Sequence, residues 1–74
     1  MEGIVKWFNE KKGFGFIVVP ELGDIFVHYS SILGTGYKML YENQKVRFSL
    51  VKKDTGYVAE DVEPLREFVD NENQ

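Results

Sequence analysis

The sequence predicts an all-β domain: five short strands folded into a closed antiparallel barrel. Two observations carry this. Apolar side chains recur with a period of two in five separate runs. Clusters of turn residues separate the runs, among them Pro20-Glu21-Leu22-Gly23-Asp24 and Asp54-Thr55-Gly56. Closure supplies the third argument. A lone small sheet leaves its edges and one face unprotected, and closing it into a barrel removes the edges.

Each element follows from the same alternation. Residues 2–8 read as the first strand, with Ile4 or Val5 turned inward. Residues 14–19 read as the second, closed by Pro20 and the turn after it. Residues 25–28 form the third. A loop rich in Ser, Gly and Thr follows over residues 30–44, with room for one helical turn at 30–33. Residues 45–53 form the fourth strand, with Val46, Phe48 and Leu50 on one face. Residues 57–62 form the fifth, and Pro64 ends it because proline lacks the ladder donor. Glu60 has the parity of Val58 and Val62, and the sequence leaves open whether it is buried, bulged out or at the rim. Leu65, Phe68 and Val69 stand at spacings that fit one side of a short helix. The last five residues, Asp-Asn-Glu-Asn-Gln, read as disordered. The division is therefore a barrel domain over 1–63 and an acidic extension over 64–74.

Composition excludes several function classes. Seventy-four residues make one small domain with no room for a second core. There is no cysteine and one histidine, so neither a disulfide nor a zinc centre is expected. A chain without cysteine suits the reducing cytoplasm. The start, MEGIVKWFNEKK, lacks the basic head and apolar run of a secretory leader. No stretch approaches the ~18 apolar residues needed to span a membrane. No P-loop or dinucleotide-binding glycine motif is present, and Glu60-Asp61-Glu63 is too ordinary a run to hold a catalytic metal. The expectation is a non-enzyme with no cofactor, no metal and no small-molecule substrate.

The net charge of −3 is unevenly spread. Residues 1–62 carry eight acids and eight bases, so the whole excess lies in 63–74, where Glu63, Glu67, Asp70 and Glu72 outnumber Arg66. Arguments about partners therefore rest on local patches. The tail's acids and Phe68 are placed to compete with an anionic ligand for any cationic, aromatic surface on the domain. A solvated tail without that role is the alternative.

The informative local patch is aromatic. In KGFGFI, Phe14 and Phe16 share one face of a strand while Gly15 and Ile17 share the other. In IFVHYS, Phe26 and His28 share a face opposite Ile25 and Val27. If the aliphatic set is the core, four rings point to water, and no one-residue slip hides them without exposing the aliphatics. The same alternation fits phenylalanines that face the core, and the residues alone leave both arrangements open. Lys6, Lys11 and Lys12 flank the rings. Rings beside lysines suit unpaired nucleic acid, because rings stack on bases and lysines hold phosphates. Lys6 with Trp7, and Trp7 with Phe8, cannot share a face of an ideal strand. A β-bulge is required to bring such neighbours to one ligand.

These residues resemble a known family. GIVKWFNEKKGFGFI, residues 3–17, and DIFVHYSSI, residues 24–32, are similar to the two signature motifs of cold-shock domains, and GTGYKML, residues 34–40, resembles the loop that follows them. The resemblance covers residues 1 to about 62. It implies a five-stranded OB-type barrel that binds single-stranded RNA and DNA, chaperoning RNA and acting on transcription and translation. It also implies base stacking on Trp7, Phe14, Phe16, Phe26, His28, Tyr29 and the loop ring Tyr37, with Phe8 at the border of that surface. Lys6 and Lys12 match basic contacts, and Asn9 and Asp24 match polar positions that reach base edges. The family's Gly-Pro-Gln-Ala turn reads Gly56-Tyr57-Val58-Ala59 here, and Tyr57 is placed to stack where the proline stood. The implied protein is a cytoplasmic monomer that touches no membrane.

Overall fold

A computed structural model of the chain describes residues 1–34, 36 and 38–69. Five strands form: β1 (Glu2–Asn9), β2 (Phe14–Val19), β3 (Gly23–His28), β4 (Gln44–Lys53) and β5 (Gly56–Phe68). They close into a barrel in the order β1-β2-β3-β5-β4. The β1–β2, β2–β3, β4–β5 and β1–β4 seams are antiparallel. The β3–β5 seam is parallel, through Phe26 and Val58. Among the described residues, no helix is long and apolar enough to cross a membrane. The expected helical turn forms as a single 3-10 turn at Tyr29–Ser31.

The aliphatic face is the core. Ile17, Val19, Ile25 and Val27 are buried with Val5, Ile32, Leu40, Val46, Phe48, Ala59 and Val62. Alternation in β2 and β3 then puts Phe14, Phe16, Phe26 and His28 on the opposite, outer face, one of the two arrangements that the residues alone left open. Phe8, Leu22, Leu50 and Tyr57 pack against the cluster from its margin.

Two departures from alternation shape the barrel. In β1 the register shifts between Val5, opposite Ile17, and Trp7, opposite Phe16, so Lys6 is the extra residue of a bulge. In β5 the register shifts between Glu60, opposite Ser49, and Glu63, opposite Arg47, and Asp61 adopts φ 52°. That bulge lets Ala59 and Val62 both face the core although they differ in parity. It also places Glu60 half-buried opposite Ser49, which answers what the sequence left open.

The end of the chain differs from expectation. β5 runs through Pro64 to Phe68, where the sequence suggested a stop at Pro64 and then a short helix. Register shifts flank Pro64 on both sides, so its missing N–H interrupts no regular stretch of ladder. Buried Gln44 holds this segment. Its side-chain carbonyl accepts from the Tyr41 N–H at 3.0 Å, and its amide donates to the Leu65 carbonyl at 3.1 Å. Val69 N–H donates to the Asn43 carbonyl at 2.8 Å. Lys45 meets Glu67 at 3.1 Å, and Arg47 lies between Glu2 at 3.3 Å and Glu63 at 3.4 Å. These pairs are solvent-exposed and each contributes at most about 1 kcal/mol. The segment read as disordered, residues 70–74, lies outside the described residues.

Candidate nucleic-acid interface

The outer face of β1–β2–β3 gathers the rings. Phe14 stands opposite His28 and Phe16 opposite Phe26 in the β2–β3 register. Phe14 and Phe26 stack with centroids 5.6 Å apart, and Phe16 meets Phe26 edge-on at 5.7 Å. The β1 bulge adds Trp7, whose indole lies 5.3 Å from Phe16 and 5.9 Å from Phe14. Trp7 is 39% exposed, and the other three rings are half-buried against one another, outside the core. Four rings thus form one continuous surface, Phe14, Phe16 and Phe26 by alternation and Trp7 by the bulge.

Gly15 makes the bulge possible. A Cβ there would collide with the Trp7 carbonyl and lie 2.7 Å from the Phe8 Cα. The space beside Gly15 is therefore filled by β1 itself. Gly13, at φ +77°, plays a related part: a Cβ on it would lie 2.7 Å from the Tyr29 ring.

At one end of the array, Tyr29 is 49% exposed and its ring lies 4.6 Å from His28. His28 Nδ1 accepts from the Ser30 N–H at 3.2 Å and lies 2.9 Å from the Ser30 hydroxyl. Accepting at Nδ1 leaves the proton of the neutral ring on Nε2, and the two contacts fix the ring's tilt. At the other end, Phe16, Phe26, Asp24 and Tyr57 line a groove of about 370 Å3. Tyr57 is half-buried there, with the Lys52 ammonium 5.8 Å from its ring centre.

The polar positions are already engaged within the domain. Lys6, pushed outward by the bulge, pairs with Asp24 at 3.0 Å. Asn9 accepts from the Lys12 N–H at 2.8 Å, shaping the β1–β2 turn that carries Lys12. Phe8 turns toward the core margin, away from Trp7. Tyr37 lies outside the described residues. The structure thus brings Trp7, Phe14, Phe16, Phe26, His28 and Tyr29 together, with Lys6 and Asp24 at one border and Lys12 at another. The sequence reading passed over a second groove, of about 410 Å3, which Lys11, Lys12, Lys38 and Tyr29 line. Lys38 sits in a loop without periodicity, so no pattern signals its approach to Lys12. Among the described residues, no three His, Asp or Glu gather as a metal would need.

A small closed β-barrel that turns a continuous ring surface outward, with lysines at its borders, belongs to a class of nucleic-acid-binding domains. The chain is a member of the cold-shock family: the "Cold-shock" DNA-binding domain matches residues 1–65. It is 52% identical over 61 residues to the major cold shock protein CspA of Pseudomonas aeruginosa, covering 82% of this chain and 88% of that protein. It is also 52% identical over 63 residues to the cold shock-like protein CspLB of Listeria monocytogenes, covering 85% and 96%. A match of 52% over 64 residues to the cold shock protein CspA of Staphylococcus saprophyticus covers 86% and 97%. A solved structure of drosophila Unr CSD456 has a TM-score of 0.68 at 22% identity, over 99% of this chain and 28% of that one, and shows the fold alone.

Proposed function

We propose that the protein binds single-stranded RNA and DNA by stacking unpaired bases on Trp7, Phe14, Phe16, Phe26, His28 and Tyr29. Tyr57, and Tyr37 from the loop, extend the surface, and Phe8 borders it. Lys6 and Lys12 meet phosphates, while Asn9 and Asp24 reach base edges. The observation that carries the reading is the outward ring array, each ring within 5.9 Å of a neighbour and none in the core. Base-on-ring stacking contributes about 1–3 kcal/mol per base and demands little sequence. A duplex hides its base faces, so the surface selects unpaired strands.

Binding only the open form shifts a weak RNA hairpin toward that form by mass action, with no nucleotide hydrolysis. The protein then acts as an RNA chaperone-like regulator of transcription and translation in the cytoplasm, as a monomer and without catalysis or cofactor. The names of its relatives support a part in the stress response.

Titrating Trp7 fluorescence with heptathymidine tests the reading. Stacking on the indole quenches it. An unchanged signal, together with dimers in solution, would point instead to a protein-interaction module.

A further inference from the structure

The groove beside Tyr29 lies where the ring array ends. Phe14 faces His28 across the β2–β3 register, and Tyr29 follows His28 at 4.6 Å. A strand lying along the rings therefore runs out into this groove, which has about 410 Å3 of space. Lys11, Lys12 and Lys38 line it, with Glu10 among its walls. The domain's other central cations stand differently. Lys6, Lys45 and Arg47 are each paired with a carboxylate, and none of the three groove lysines takes part in those pairs.

Three ammonium groups, less the Glu10 carboxylate in the same walls, leave the recess a net charge of about +2, more than an internal phosphodiester, with a single charge, calls for. A phosphomonoester carries about −1.5 to −2 near neutral pH and offers three strong acceptor oxygens. We propose that the groove recognises a nucleotide bearing a terminal phosphomonoester. Tyr29 stacks on its base, and Lys11, Lys12 and Lys38 hold the phosphate. This rests on the stacking reading above and adds an end preference to it. The ligand is either the phosphorylated end of a single strand or a free nucleotide.

The test compares heptathymidine bearing a 5′-phosphate, a 3′-phosphate or neither, with free uridine 5′-monophosphate as the remaining arm. One phosphorylated end is expected to bind about tenfold tighter than the unmodified oligomer at low ionic strength, as a charged hydrogen-bonded contact gives. Lys38→Gln should remove that gain and leave affinity for the unmodified oligomer within about twofold, since Lys11 and Lys12 still line the groove for a singly charged phosphodiester. Equal affinities for all three oligomers overturn the proposal. If no oligomer binds, the stacking reading fails instead. The Gly13 and Gly36 amide shifts with free nucleotide then decide the groove, their movement upholding it and their constancy ending it. Saturation by the free nucleotide as tight as by the phosphorylated oligomer identifies the free nucleotide as the source.

Discussion

Phe14 and Phe26 touch each other and Trp7 or Phe16, but no side chain of the core depends on them. Their replacement therefore separates binding from folding. Phe14→Ala or Phe26→Ala should each cost about 1–3 kcal/mol of single-strand affinity, read by Trp7 quenching. Unfolding in urea should show the loss of two aromatic contacts, each worth about 0.5–1.5 kcal/mol, with the core left intact. Unchanged affinity in a variant that is still folded would mean that the rings do not stack on bases. Unbroken alternation in β2 and β3 made it legible that these rings share one face and Ile17, Ile25 and Val27 the other, while the burial of the aliphatics decides which face is the core. Trp7 was not legible to that degree. It follows Lys6 and precedes Phe8, and alternation alone cannot turn both Lys6 and Trp7 outward.

At the scale of elements, the bulges did what periodicity could not show. One extra residue in β1 carries Trp7 onto the ring surface, and one in β5 brings Ala59 and Val62 to the same core. A bulge leaves no mark in a two-residue pattern beyond an apparent error, such as Glu60 at an inward parity. Pro64 misled for a related reason. It is a stop signal in a regular ladder, whereas here it lies between two register shifts in a strand tied down by Gln44. Gly15 is the residue on which the β1 bulge rests. Gly15→Ala drives a methyl group into the backbone of Trp7 and Phe8, which cannot yield as a flexible side chain would. The expected cost is about 1–3 kcal/mol of stability by urea unfolding, in line with other overpacked sites. Oligomer affinity should fall as well, because the shifted β1 displaces the indole. A variant with wild-type stability would show that β1 is not held by this contact.

For the molecule as a whole, charge is sorted by place. Glu2, Glu63 and Glu67 are tied to Arg47 and Lys45 on the β1–β4–β5 side, while the rings and the Tyr29 groove keep lysines at their borders. The acids of the extension are thus of two kinds. Glu67 belongs to the barrel, whereas Asp70 and Glu72 follow Val69, the last described residue. Cutting at residue 64 would remove the Gln44–Leu65 and Lys45–Glu67 contacts and confuse electrostatics with unfolding. Ending the chain after Val69 removes only Asp70 and Glu72 as charges and takes the net charge from −3 to −1. Stability should then stay unchanged. Single-strand affinity should rise about threefold at ~0.01 M salt, where charges act over ~30 Å, and converge with the full chain at ~0.15 M, where they act over ~8 Å. Parallel titrations at the two salt concentrations measure this. For both chains the logarithm of affinity should fall by about 0.7 per phosphate contacted for each tenfold rise in salt, a shallow slope when stacking supplies most of the energy. Identical affinities at low salt would show that the acidic end leaves the ring surface alone.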